Sequence, residues 1–169
     1  MKTRIALLLL LLIPVALSAR EKKSYAKHNK GYFFDAGVAA GCRFPKHNEP
    51  ILLMEVYTTH GYQFSNTFSL GVGVATYNTE TINAYLQTRF NLRNIDEKKS
   101  HYTYIAVRLG YSWSTWPGDA WGDDKGPLID PRFGWSFYTP SVNLRWSVYA
   151  APSFYQFNFI PKIGLSFEF

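Results

Sequence analysis

The chain has 169 residues, with 18 Lys and Arg against 12 Asp and Glu, four His and a single Cys, and 47% of it is hydrophobic. One cysteine excludes an internal disulfide framework, and the length suggests one domain once a leader is set aside. The basic balance invites a nucleic-acid partner, but its distribution argues against one: residues 20–30 hold five Lys and Arg against one Glu, whereas from Gly31 onward the two signs are equal at eleven each.

The N-terminus begins "MKTR", continues with the apolar run "IALLLLLLIPVAL" from Ile5 to Leu17, and reaches the small residues Ser18 and Ala19. This is the layout of a secretory signal peptide. The 13 apolar residues fall short of the roughly 20 that a bilayer-spanning helix needs. Residues 1–19 therefore read as a signal cleaved after Ser18 or Ala19, and not as an anchor. The basic stretch "REKKSYAKHNK" at 20–30 reads as a solvated linker or as a tail that meets anionic lipid headgroups.

From Gly31 onward the recurring pattern is alternation, with turn-like stretches between. Eight strands are expected, near 31–44, 51–64, 67–77, 82–92, 102–114, 127–138, 142–151 and 158–169. "INAYLQTRFNL" is the clearest. Ile82, Ala84, Leu86, Thr88, Phe90 and Leu92 fall on one face, with Asn83, Tyr85, Gln87, Arg89 and Asn91 on the other. "TFSLGVGVATY" sets Phe68, Leu70, Val72 and Val74 against Ser69, Gly71, Gly73 and Ala75.

Two barrels share this alternation: a soluble one with the apolar face inside, and a membrane one with that face outside. Side-chain volume separates them. An eight-stranded barrel has an interior just wide enough for side chains or one small ligand, and the apolar face is the bulky one. It is therefore expected to face lipid, and an even number of strands closes the sheet without an edge. Aromatic residues gather near the expected strand ends, with Tyr32, Phe34, Tyr62, Phe64, Phe68, Tyr102 and Phe137 at one rim. Phe44, Trp113, Trp116, Phe154 and Phe157 lie at the other. Two interfacial girdles read this way, although strands favour aromatics in any case.

The face expected to line the lumen carries Asp35, Arg43, Glu55, Arg89, Arg108, Asp130, Arg132, Arg145, Lys162 and Glu168. Isolated charges are costly there, so they are expected to pair and plug the barrel. A narrow ion path is the functional alternative. A catalytic reading finds little support: His60 is the only His inside an expected strand and has no Ser two residues away on the same face, and His28, His47 and His101 are too scattered for a metal motif. No cofactor is implied. In the longest connection, Asp119, Asp123 and Asp124 lack EF-hand spacing. With Trp116 and Trp121 they offer a surface-recognition patch, or else a solvated loop.

The last expected strand, "IPKIGLSFEF", alternates Ile163, Leu165, Phe167 and Phe169 and finishes on an aromatic. It resembles the C-terminal assembly signal of Gram-negative outer-membrane barrels, which the barrel assembly machinery reads. With the leader and eight amphipathic strands, residues 31–169 resemble the small eight-stranded outer-membrane barrels, the class of OmpX and the OmpA membrane domain. No domain is expected beyond the barrel. The resemblance implies an all-β, antiparallel, up-and-down transmembrane barrel at the cell outer membrane. Its partners would be outer-membrane lipids and the assembly machinery, with no nucleic acid and an unknown surface ligand. Its role would be structural or surface-interacting. A narrow small-solute or ion channel is the first alternative, and a lipid-modifying enzyme the second.

Overall fold

A computed structural model describes residues 30–44, 49–78, 81–92, 101–114, 125–139, 144–155 and 158–169. The leader and basic tail at 1–29, and Trp116, Asp119, Trp121, Asp123, Asp124 and Phe157, lie outside the described residues. The strands are β1 (Gly31–Arg43), β2 (Ile51–Gln63), β3 (Phe68–Tyr77), β4 (Thr81–Asn91), β5 (His101–Ser114), β6 (Lys125–Thr139), β7 (Leu144–Tyr155) and β8 (Asn158–Glu168). Each pairs antiparallel with its sequence neighbours, and β8 returns to β1 to close the barrel. At the seam Asp35 lies opposite Glu168 and Gly41 opposite Lys162. Phe169 extends the seam: its N–H donates to the Phe34 carbonyl at 2.9 Å, and the Phe34 N–H donates back at 3.2 Å.

Burial follows a period of two along the strands, broken in β1 where Phe33, Phe34 and Asp35 are all buried, and the outside is the apolar side. Leu52, Met54 and Val56 on β2, Val72 and Val74 on β3, and Ile163, Leu165 and Phe167 on β8 are all exposed, Ile163 to 67%. Among the described residues, 27 large hydrophobic side chains are exposed in this way. Moving one such side chain out of water is worth about 1.5–3 kcal/mol when complete, so in water the belt would carry a penalty of tens of kcal/mol. A soluble monomer does not expose an apolar surface of this extent. The medium around the belt is hydrocarbon, and the fold is a membrane barrel.

The lumen is less sparsely filled than the small residues on its face suggest. Tyr57, Tyr77, Tyr85, Tyr102, Tyr104, Tyr149 and Tyr155 all point inward and are at most 5% exposed. Four of them, Tyr57, Tyr85, Tyr104 and Tyr149, fit because each ring lies against a residue without a Cβ: Gly37, Gly73, Gly134 and Gly164 in turn. Tyr85 lies in register between Gly73 and Gly110, and Tyr149 between Gly134 and Gly164. A Cβ added at Gly164 would overlap the Tyr149 ring. Aromatic rings laid over glycines in this way pin strand register.

Three expectations are corrected. Tyr102 does not belong to a rim girdle; it lies in the lumen beside Arg89. Phe34 is on the outward parity but is only 3% exposed, covered in part by His60, whose ring centroid is 4.9 Å away. β7 does not stop at 151 but runs to Tyr155. The strand continues through Pro152, although proline cannot donate to a ladder. Here Pro152 lies opposite Pro161 on the lipid side, while Ser153 and Tyr155 continue the buried face.

The prolines still leave a mark. The β6–β7 ladder runs from Leu128 opposite Tyr155 to Ile129 opposite Phe154, then resumes at Phe133 opposite Ala150. In that register Pro131 and Pro152 face each other, and neither has an N–H to give. Behind the gap the Ser153 hydroxyl donates to Asp130 Oδ1 at 2.6 Å, joining the two strands from inside.

Candidate functional site

Side chains from all eight strands meet in the lumen. Glu55 of β2 is the centre of the group nearer the far rim. Its Oε1 accepts from Arg132 Nη2 at 3.0 Å and from Arg108 Nη1 at 3.3 Å, and its Oε2 accepts from Lys162. Asp130 takes the other side of two of these cations, at 2.8 Å from Arg132 and 3.1 Å from Lys162. The Lys162 ammonium also donates to the Tyr77 hydroxyl at 2.8 Å. Arg108 donates through Nε to Gln87 at 2.6 Å, and its Nη2 lies 3.9 Å from Asp35.

Aromatic faces complete the group. The Arg108 guanidinium lies over Tyr85 at 4.3 Å and over Tyr57 at 3.8 Å. Arg132 lies over Tyr57 at 4.6 Å and Tyr149 at 4.3 Å. The order Tyr85, Arg108, Tyr57, Arg132, Tyr149 is an alternating cation–π stack running from β4 to β7. Each contact is worth about 0.5–2 kcal/mol, the upper value where water is excluded.

A second group lies near the rim that holds Phe34 and Phe169. Glu168 accepts from Arg89 Nη1 at 3.0 Å and from Arg145. Arg89 also lies over Tyr104 at 3.8 Å and donates to Ser136, whose hydroxyl is 2.7 Å from that of Ser147. Arg145 Nη1 donates to Gln63 at 3.4 Å.

Nine of the ten charged residues assigned to the lumen by parity are buried; Arg43, at the end of β1, is half-buried. Parity did not show how they divide. Glu55, Asp130, Arg108, Arg132 and Lys162 form one group, Arg89, Arg145 and Glu168 the other, and Asp35 lies at the end of Arg108. Tyrosines were expected to pair with these charges and Gln87 to face the lumen, but the stacking rings were not named as members of the site, and Ser153 fell in an expected connection. Their signal was available, because they share the alternate positions of the charges.

Outside the lumen, His60 Nδ1 is 2.6 Å from the Tyr32 hydroxyl and packs on Phe34, with no carboxylate among these contacts. Aromatic contacts mark both rims. Tyr62, Phe64, Phe68 and Phe90 follow one another at 5.1–5.8 Å between ring centroids, and Phe137 stacks on Trp146 at 4.4 Å. At the far rim Tyr111 meets Trp113 at 5.2 Å and Phe154 meets Phe159 at 5.5 Å. Among the described residues no three His, Cys, Asp or Glu side chains are grouped to hold a metal.

The charges of the lumen pair with one another across the barrel, and rings fill the space between them. Removing one partner of such a buried pair typically costs about 3–5 kcal/mol, because the other charge is left uncompensated.

No protein-family model matches the chain, and no curated protein matches it. Among solved structures it is similar to Neisserial surface protein A, at 11% identity and a TM-score of 0.62, over 81% of this chain and 95% of that one. A structure from the de novo design of transmembrane β-barrels aligns at 16% identity and a TM-score of 0.48, over 81% and 95% of the two chains, which is too weak to carry an argument. At 11% identity the likeness to Neisserial surface protein A is one of fold.

Proposed function

We propose that this is an integral outer-membrane protein of a Gram-negative bacterium, with a plugged lumen and a structural or surface-interaction role. The observation that carries this reading is the inversion of the barrel: apolar side chains cover the outside, and the charges are buried within. Residues 1–19 would direct export and be removed. Residues 20–30 would remain as a basic periplasmic tail. Asp119, Asp123, Asp124, Trp116 and Trp121 would present the surface contacts in the loop after β5.

Strand β8 would also carry the assembly signal. Ile163, Leu165, Phe167 and Phe169 form its lipid-facing row, all exposed, and the strand closes the barrel against β1. Export of the closing strand's apolar row to the barrel assembly machinery is the step that this reading requires.

Two measurements test the proposal. The protein should fractionate with outer membranes and run with heat-modifiable mobility, and it should give no steady conductance in planar bilayers. A soluble protein in the periplasm would reject the membrane reading. Steady single-channel currents would replace the plug with a narrow channel, a reading favoured by the lumen's five buried cations against four carboxylates.

A further inference from the structure

The lipid-facing belt is not uniform. On the outward face of β7, β8 and β1 a patch of small or rigid residues replaces the bulky ones found elsewhere. Ala40 and Ala150 are exposed, each directly opposite Ile163. Pro152 faces Pro161, and Cys42 faces Leu52. Together they line an open groove of about 510 Å³ in the barrel wall.

Its limits are defined by register. Towards the far rim the Phe154 and Phe159 rings close it. In the other direction Val148, Leu165, Val38 and Val56 form an unbroken row of larger side chains across four strands. Leu52 stands on one side and Ile163 rises from the floor. Lys162 also lines the groove, yet its ammonium turns inward to Glu55 and Asp130, so it brings no charge to the surface. The floor is stiff where it matters, because the two proline rings have fixed backbone torsions.

We infer that this groove is a binding site for the hydrocarbon tail of a single membrane lipid. The inference rests on the membrane reading and adds a site to it. The groove is continuous with the exposed apolar belt, so acyl chains are its immediate surroundings. A dent left empty loses dispersion contacts along its whole lining, and a flexible chain recovers them by lying in it. A second copy is a poor occupant: a two-fold contact sets the same patch against itself, so here it would place one concave surface against another and leave a void.

The test uses the full barrel refolded in phosphatidylcholine vesicles that contain a small fraction of phosphatidylcholine with a photoreactive diazirine in one acyl chain. After irradiation, labelled peptides are mapped. Residues 40–42 and 150–152 should be labelled about threefold or more above the outward residues 72–74 and 82–84, a preference of about 0.6 kcal/mol. Even labelling around the barrel overturns the site and leaves the membrane reading standing. No labelling, with the protein outside the vesicles, overturns both. Ala150→Phe, which fills the groove, should reduce the enrichment to the background level while heat-modifiable mobility is kept; Ala40→Phe serves if the first variant does not fold. Enrichment that survives in a folded variant overturns the site. A disulfide between two chains through Cys42, in place of lipid labelling, identifies a second copy as the occupant and overturns it as well.

Discussion

Leu86 and Gln87 are adjacent on β4 and stand in opposite environments: Leu86 is 43% exposed to lipid, while Gln87 is buried and accepts the Arg108 Nε–H at 2.6 Å. A guanidinium placed at Leu86 near the membrane midplane should cost about 2–4 kcal/mol. Arginine at Gln87 would be a poor comparison, because it removes an acceptor from Arg108 and sets a like charge against it. Glutamate is the informative change there. Gln87→Glu keeps the acceptor and adds an opposite charge, so it should change stability by less than about 1 kcal/mol and in either direction. Urea refolding titrations in lipid vesicles measure both. If Gln87→Glu proves as harmful as Leu86→Arg, the assignment of inside and outside is wrong. The identity of the lumen charges was legible residue by residue, because each falls on the polar parity of its strand. The stacking of Tyr57, Tyr85 and Tyr149 was not, because parity puts a tyrosine on the lumen face without saying which guanidinium its ring will meet.

At the scale of elements, the strands are held in register by shape as well as by the ladder. The Tyr149 ring lies over Gly164, and the Tyr104 ring fills the space left by Gly134. Gly164→Ala should cost about 1–3 kcal/mol, the usual cost of overpacking, since its Cβ would overlap the Tyr149 ring. Removing the ring as well should relieve the overlap. A double-mutant cycle with Tyr149→Ala should therefore show coupling of about 0.5–3 kcal/mol; additive effects would mean that the ring and the glycine do not meet. The same scale explains the misplaced end of β7. Proline is a stop signal when its neighbours need the missing N–H, and Pro152, Pro161 and Pro131 instead stand beside one another. The loss falls in a single place, the β6–β7 gap, where Asp130 and Ser153 bridge the strands from within.

For the whole molecule, eight antiparallel strands place the start of β1 and the end of β8 at one rim, and the ends of β1, β3, β5 and β7 at the other. If the rim holding Phe34 and Phe169 faces the periplasm, a tag inserted at Gly118 should be labelled on intact cells. Labelling that appears only after lysis would turn the barrel over in the membrane. Closure matters energetically as well as topologically. An open edge in hydrocarbon would leave rows of backbone N–H and C=O groups without partners, each costing several kcal/mol. The β1–β8 pairing removes that edge. Stability is then shared between the ladder, the apolar belt and the ion pairs of the lumen, so the barrel and its charge network are expected to unfold together.

The alternation of residues by itself determined the eight strands, their approximate ends, and which face of each is polar. That information is local: a period of two can be read within any ten residues, and the volume of the two faces decides which one fits inside. Only the tertiary structure decided which charges meet. Lys162 and Glu55 form an ion pair although 107 positions separate them. Arg108 reaches Gln87, Glu55 and Asp35 on three other strands. It also decided that three prolines line up across the sheet and that Ala40, Cys42 and Ala150 share one groove. These facts depend on shear and register, the heights at which strands settle against one another, and those are set by all the strands at once, not by any one of them.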